Sequence, residues 1–180
     1  LIWHGRWPRF LGKAELWKMP VIGWLARGCR QIPVHRGTAN ASQALDAAAE
    51  ALEQGELVIL YPEGTRTRDP DLWPMVPRTG AARLALTTGV PVIPVASWGT
   101  HEVMPGRRLT LPRVFPRRRI RVIMGEPVDL SRWAGRENDS DAVREASNHL
   151  MEVVTGLVAR LRGEDPPAQM WDSRTRGHGH

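Results

Sequence analysis

Short apolar segments alternate with amphipathic ones between residues 32 and 98, and this alternation constrains the fold more than any other feature. The apolar segments predict strands, and the segments between them place Ala and Leu on one face of a helix. The order strand, helix, strand, helix, strand is typical of an α/β domain with a mainly parallel central sheet flanked by helices. The predicted strands are Ile32–Val34, Leu57–Tyr61 and Val90–Trp98, and the predicted helices run from Asn40 to Gln54 and from Gly80 to Thr88.

Three further elements are predicted outside this region. Residues 10–27 are apolar with interspersed basic residues, which favours a helix that breaks near Pro20. Alternating side chains predict a half-exposed strand over residues 119–124. A long helix with one apolar stripe is predicted from Ser140, as its N-cap, to Arg162.

Length and composition bound the class of protein. The chain has 180 residues and is 42% apolar, which suits one domain with a sizeable core. Its net charge of +6 favours an anionic partner, which could be nucleic acid, a phosphate ligand or an anionic membrane surface. The single cysteine, Cys29, cannot form an internal disulfide, so we expect a reducing compartment. Residues 164–180 are polar and contain several Pro and Gly, so we expect a domain over residues 1–163 and then a flexible tail.

The strand that begins at Leu57 runs directly into Pro-Glu-Gly-Thr-Arg. Gly64 permits a positive φ and lets a ligand approach the backbone closely. Arg66 offers a planar, always charged fork that suits phosphate or carboxylate. Glu63 would be costly in an apolar site unless it were paired, and a nearby arginine is its natural partner. The stretch therefore predicts a phosphate-binding turn, with an ordinary polar turn and a local ion pair as the alternative.

A second arginine, Arg36, follows the strand Ile32–Val34 in the same way. Ligands of parallel sheets bind beyond the carboxyl ends of the strands. If the two strands are parallel, Arg36 and Arg66 emerge at the same edge, where together they would suit a phosphate group. Their spacing in the sequence does not decide whether they converge.

Four motifs in this order resemble those of the lysophospholipid acyltransferase family, the glycerol-phosphate acyltransferases that make phosphatidic acid. The resemblance covers most of the chain from Arg9 to about Leu130. Any one motif would be weak, but four in the right order are a strong signal. The motifs are Phe10-Leu-Gly-Lys-Ala-Glu-Leu, Gln31-Ile-Pro-Val-His-Arg-Gly, Tyr61-Pro-Glu-Gly-Thr-Arg-Thr and Val90-Pro-Val-Ile-Pro-Val.

The resemblance implies a single acyltransferase-like α/β domain and a fatty acyl transfer to the free hydroxyl of a lysophospholipid. It implies acyl-CoA or acyl-carrier protein as co-substrate, with neither a cofactor nor a metal. The implied acceptor is 1-acyl-glycerol-3-phosphate, which would give phosphatidic acid in phospholipid biosynthesis. The implied location is peripheral, at the cytoplasmic face of the plasma membrane. The residues implied to bind the acceptor are Arg36, Glu63, Gly64, Thr65 and Arg66, with Lys13 assisting at the phosphate.

The family's catalytic pair, a His and an Asp separated by four residues, is absent from the chain. None of the six histidines has an aspartate at the required spacing, so no catalytic residue is assigned. His35 lies inside the second motif and is interpreted as a local residue beside Arg36. The chain starts at Leu1, so we expect that an upstream segment carries the pair. The alternative is a non-catalytic, phospholipid-binding relative.

Two surfaces suggest partners. Tryptophans and basic residues mix between residues 3 and 27, which suits an anionic membrane interface, although the tryptophans could instead fill the core. Arginines cluster between Pro116 and Arg121, which is the best argument for nucleic acid. Stacking aromatics do not interleave with them and no nucleic-acid module fits, so we expect no nucleic-acid partner.

Overall fold

The computed structural model describes residues 7–35, 41–105, 112–113 and 115–173. Short 3₁₀ helices at Ala14–Lys18 and Ser131–Trp133 supplement the main elements. Within the described residues, no helix combines the length and the apolar character that crossing a bilayer requires. The strands are β1 (Pro8–Lys13), β2 (Ile32–Val34), β3 (Leu57–Ile59), β4 (Val95–Trp98) and β5 (Arg121–Met124), and the helices are α1 (Pro20–Gly28), α2 (Ala41–Glu53), α3 (Gly80–Thr88), α4 (Thr100–Val103) and α5 (Ser140–Arg162).

A parallel three-stranded sheet carries the motifs. Strand β1 lies between β2 and β3 and is parallel to both. The Cα of Lys13 pairs with that of Val34, and the Cα of Phe10 pairs with that of Ile59. Strands β4 and β5 form a separate antiparallel pair. The predicted α/β class with a mainly parallel sheet and flanking helices is therefore confirmed.

The central strand was missed by the sequence analysis. Residues 10–13 were predicted to be helical, but they belong to β1, and the helix begins only at Pro20. The reason is tertiary: β1 hydrogen-bonds to a strand on each side, and this pairing overrides the local pattern. The predicted strand Val90–Trp98 is shortened to β4, since Pro91 and Pro94 cannot donate to a ladder.

Helix α5 agrees with the predicted apolar stripe but not with the predicted cap. Val143, Leu150 and Leu157 are all buried. The N-cap is Asp139 rather than Ser140, because its carboxylate accepts hydrogen bonds from the N–H groups of Asp141 and Ala142, at 2.9 and 3.2 Å. The predicted cap of α2, Asn40, lies outside the described residues.

The end of α5 holds the long loop that follows β3. Trp73 is buried against Ala96 of β4 and Leu157 of α5. The Arg162 guanidinium lies between the rings of Trp73 and Trp98, at 4.1 and 4.5 Å from their centroids. It also donates a hydrogen bond of 2.5 Å to the carbonyl of Asp71. The loop is therefore joined to an element that comes much later in the chain.

Part of the predicted flexible tail also packs on this loop. Trp171 forms an isolated parallel bridge with Met75, and its carbonyl accepts a 2.9 Å hydrogen bond from the N–H of Val76. Because Met75 is almost fully buried, Trp171 lies beside the core. A flexible tail over residues 164–180 stays a prediction, and residues 174–180 lie outside the described residues.

The tryptophans near the start of the chain do not all fill the core. Trp7 and Trp24 are each 72% exposed, so the core alternative is wrong for both. Val21, Trp24 and Leu25 lie together on one face of α1, and all three are exposed. The helix therefore has an apolar face, and this face is exposed to solvent. Trp17 is half-buried, and Trp3 lies outside the described residues.

Candidate active site

The carboxyl ends of three parallel strands meet at one edge of the sheet. Strand β1 ends at Lys13, whose neighbour across the ladder is Val34, the last residue of β2. Strand β3 ends at Ile59, shortly before the Pro-Glu-Gly-Thr-Arg turn. The fold thus brings the predicted residue Lys13 and the predicted turn to the same edge, as ligand sites of such sheets require. Arg36 follows β2 at this edge in the sequence, but it lies outside the described residues.

The turn after β3 is closed by backbone contacts. The N–H of Gly64 donates to the carbonyl of Tyr61 at 2.9 Å. Gly64 has φ +68°, a left-handed conformation that favours glycine, so the predicted positive φ is confirmed. The carbonyl of Pro62 accepts a 2.8 Å hydrogen bond from the N–H of Arg78. The turn is therefore braced by the residues that precede α3.

Glu63 connects the turn to the loop that follows it. Its carboxylate accepts a 3.1 Å hydrogen bond from the N–H of Met75. Burial raises the pKa of Glu63 to about 7, and the Met75 hydrogen bond only partly opposes this rise. The Met75 contact makes Glu63 a residue that positions the loop. The predicted pairing of Glu63 with Arg36 or Arg66 stays a prediction.

The loop from Thr67 to Met75 is folded by its own side chains. The Thr67 hydroxyl donates to the carbonyl of Trp73 at 2.6 Å. The Asp69 carboxylate accepts from the N–H groups of Asp71 and Trp73, at 2.8 and 3.3 Å. These contacts replace regular secondary structure, because Asp and Thr can bond to the backbone locally. Sequence periodicity could not reveal them, although the Asp-Pro-Asp run is a turn signal.

The remaining predicted binding residues differ in exposure. Arg66 and Lys13 are exposed, while Thr65 is half-buried. Lys13 lies 3.5 Å from the carboxylate of Glu15, a surface pair that water screens and an anionic ligand could displace. The structure therefore brings Lys13 and the glycine turn to one edge of the sheet, and the exposed Arg66 follows this turn in the sequence. The contacts with such a ligand stay a prediction.

The described histidines other than His35 lie on other elements. His101 belongs to α4 and packs its ring 4.7 Å from that of Trp98. His149 belongs to α5, where its ring lies 5.4 Å from that of Trp133. His35 follows β2 at the site edge and is exposed. None is assigned as a catalytic base, since none is followed by an aspartate at the family's four-residue spacing.

Comparison with known proteins identifies the family. The family model described as Acyltransferase matches residues 1–98, which contain β1 to β4 and the whole turn after β3. The chain belongs to the acyltransferase family. This membership agrees with the resemblance of the four motifs and with the predicted class of fold.

Similar acyltransferases come from plants and bacteria. The 1-acyl-sn-glycerol-3-phosphate acyltransferase BAT2 of Brassica napus is 35% identical over 98 residues, 54% of this chain and 28% of the plant protein. The 1-acyl-sn-glycerol-3-phosphate acyltransferase of Salmonella typhimurium is 30% identical over 156 residues, 86% of this chain and 58% of that protein. The crystal structure of the 1-acyl-sn-glycerophosphate acyltransferase PlsC from Thermotoga maritima is similar with a TM-score of 0.62 and 28% identity, covering 89% of this chain and 59% of that one. The chain thus spans only part of the length of these acyltransferases.

Replacing Glu63 by Gln is expected to flatten the pH dependence of stability. Because the folded-state pKa of Glu63 is raised to about 7, folding takes up a proton between about pH 4.5 and 7. Glu63 therefore lowers the free energy of unfolding as the pH rises through this window, by about 3 kcal/mol. Gln can still accept the Met75 hydrogen bond but does not ionise. Urea denaturation at pH 5 and pH 8 would measure the difference.

Glu126 provides the control for this prediction, because it is an exposed glutamate. In Glu126→Gln, the difference in the free energy of unfolding between pH 5 and pH 8 should equal that of the wild type. If the free energy of unfolding fell by the same amount from pH 5 to pH 8 in the wild type and in Glu63→Gln, this would contradict a buried Glu63 that binds a proton on folding.

Proposed function

We propose that the full-length protein transfers a fatty acyl group from acyl-CoA or acyl-carrier protein to the free hydroxyl of 1-acyl-glycerol-3-phosphate, which yields phosphatidic acid. The observation that carries the proposal is the meeting of Lys13 and the Pro62–Arg66 turn at one edge of a parallel sheet, in a chain of the acyltransferase family. Relatives named 1-acyl-sn-glycerol-3-phosphate acyltransferases support the choice of acceptor. This activity belongs to phospholipid biosynthesis.

The reaction needs no cofactor, because the acyl group arrives as an activated thioester. The acceptor hydroxyl oxygen attacks the thioester carbonyl, an ester C–O bond forms and the C–S bond breaks. The hydroxyl proton passes to a general base, and the departing thiolate takes up a proton to leave as a thiol. The residues of this chain bind and orient the acceptor phosphate: Arg36, Arg66 and Lys13 through charge, and Gly64 and Thr65 through close backbone and hydroxyl contacts.

The proposal is tested by an acyl-transfer assay on the full-length protein. Lysophosphatidate and lysophospholipids with other headgroups would be offered with acyl-CoA and with acyl-carrier protein, and the products identified by mass spectrometry. Formation of phosphatidic acid is the expected result. Binding of lysophosphatidate without turnover would instead favour a non-catalytic phospholipid-binding protein and would overturn the enzyme proposal.

We also propose that α1 attaches the protein peripherally to an anionic membrane, at the cytoplasmic face of the plasma membrane. The support is the exposed apolar face formed by Val21, Trp24 and Leu25, with Lys18 and Arg27 close by in the sequence. A helix with an apolar face and neighbouring cations suits a bilayer surface that carries negative charge. The amphiphilic acceptor would then reach the site without leaving the membrane.

Trp24→Ala is expected to lower binding to anionic vesicles about tenfold, because withdrawing a large apolar side chain from water is worth about 1.5–3 kcal/mol. Sedimentation with vesicles of phosphatidylglycerol and phosphatidylcholine would measure it. Phe115→Ala is the matched control, since Phe115 is an exposed aromatic outside α1. Equal losses in the two variants, or no loss in either, would contradict attachment through α1.

A further inference from the structure

Arg78 lies against the turn after β3, although no motif of the sequence analysis contains it. Its backbone N–H donates to the carbonyl of Pro62 at 2.8 Å. A Cβ atom on Gly64 would lie 3.1 Å from the Cδ of Arg78 and 3.3 Å from its Nε. The Arg78 side chain therefore crosses the turn in the space that the missing side chain of Gly64 leaves.

The guanidinium of Arg78 has no acidic partner in the described part of the chain. It is exposed, and no hydrogen bond or ion pair of its side chain occurs among those residues. Glu63, the carboxylate next to Gly64 in the sequence, bonds instead to the N–H of Met75. By contrast, six described arginines pair with carboxylates: Arg9, Arg30, Arg118, Arg136, Arg144 and Arg162.

A guanidinium held in this way is suited to bind an anion. The backbone hydrogen bond to Pro62 fixes the start of the Arg78 side chain, and the contact with Gly64 limits its path. Its N–H donors remain available in a planar fork that matches phosphate. The ordinary alternative is a solvated surface arginine, whose removal would change nothing at the site.

We propose that Arg78 is a further acceptor-binding residue, whose guanidinium donates hydrogen bonds to the phosphate monoester of the lysophospholipid headgroup at this turn. The proposal rests on the proposed function, since it takes that site and adds a residue to it. In this proposal Arg78 binds the phosphate of the acceptor and not the phosphates of the acyl donor.

Kinetics of full-length Arg78→Ala and Arg78→Lys test the assignment. We expect the KM for lysophosphatidate to rise roughly tenfold to a hundredfold in Arg78→Ala, because the variant loses hydrogen bonds to a charged group. The KM of Arg78→Lys for lysophosphatidate should lie between those of Arg78→Ala and the wild type, since lysine keeps the charge but lacks the planar fork. The KM for the acyl donor and the melting temperature should not change, because alanine retains the backbone N–H that bonds to Pro62. A rise in the donor KM alone would overturn the assignment.

Arg144→Ala is the control for removing a positive charge, because Arg144 is an exposed arginine of α5 that pairs with Asp141. Its KM for lysophosphatidate should equal that of the wild type. An equal rise in Arg78→Ala and Arg144→Ala would show a general effect of charge and would overturn the proposal.

Gly64→Ala gives a second variant. The new Cβ would strain the left-handed turn and also push on the Arg78 side chain. Its effect on the acceptor KM should therefore be smaller, but not zero, when Arg78 is already alanine. Fully additive effects of the two substitutions would overturn the placement of Arg78 over Gly64.

Binding of glycerol 3-phosphate, measured by calorimetry, separates this proposal from the proposed function. If the wild type acylates no lysophospholipid but binds glycerol 3-phosphate and Arg78→Ala does not, the enzyme proposal fails and the phosphate contact of Arg78 stands. If Arg78→Ala binds glycerol 3-phosphate as the wild type does, or if neither binds it, the proposal for Arg78 is overturned.

Discussion

Replacing Arg66 by Ala is expected to raise the KM of the full-length protein for lysophosphatidate roughly tenfold to a hundredfold, because a hydrogen bond between charged groups is worth about 1.5–3 kcal/mol. Arg66 is exposed and follows the glycine turn after β3 in the sequence. The loss should appear in acceptor binding, so the KM for the acyl donor should stay unchanged. Steady-state kinetics with each substrate varied in turn would measure both constants.

Two variants sharpen the Arg66 prediction. Arg66→Lys should recover part of the lost affinity, since it restores the charge without the planar fork. Arg68→Ala is the matched control, because Arg68 is an exposed arginine of the same loop. An unchanged acceptor KM in Arg66→Ala, or an equal rise in Arg68→Ala, would contradict a specific phosphate contact at Arg66.

Replacing Trp73 by Ala is expected to lower the free energy of unfolding by about 3–5 kcal/mol, as is typical when a buried tryptophan is truncated. Trp73 is 6% exposed and packs against Ala96 and Leu157. Its ring also faces the Arg162 guanidinium. The substitution would remove both contacts at once and leave a cavity behind the loop. Urea denaturation, with circular dichroism as the signal, would measure the loss of stability.

Other tryptophan substitutions serve as controls for this loss. Trp73→Phe should cost less than Trp73→Ala, because the phenyl ring fills part of the cavity and can still face Arg162. Trp24→Ala should change the free energy of unfolding by no more than about 0.5 kcal/mol, as expected of a surface position, since Trp24 is 72% exposed. Similar costs for Trp73→Ala and Trp24→Ala would contradict the packing of the loop on α5.

Local chemistry explains which parts of the fold and site the sequence predicts. The strand at Leu57 and the turn at Gly64 are predictable, because apolar β-formers followed by proline and glycine leave few other conformations. Strand β1 is not, since its conformation comes from pairing with β2 and β3, which are distant in the sequence. The N-cap of α5 is displaced by one residue for a local reason, as Asp139 and Ser140 are both suitable caps.

The same is true of the site: its local features are predictable from the sequence, and its long-range contacts are not. The residues of the glycine turn are predictable from their types, whereas the contact of Arg78 with Gly64 depends on where a later segment returns. The Met75 hydrogen bond of Glu63 depends on the fold of a loop without periodicity. A basic residue just before a predicted helix start is the only sequence signal at Arg78, and many surface arginines share it.

The contacts of Arg162 and Trp171 with the loop limit where this protein can be divided into fragments or joined to a relative in a chimera. The family match ends at residue 98, yet the supports of the loop lie at the end of α5 and beyond it. A fragment that ends with the last motif would contain the turn after β3 but would lose Arg162 and Trp171, which contact the loop that follows this turn. In a chimera of two acyltransferases, the turn and the C-terminal helix would therefore have to come from the same parent, or be re-matched at Trp73. The turn and the residues that support its loop form a single unit, although α3, α4, both strands of the antiparallel pair and nearly all of α5 lie between them in the sequence.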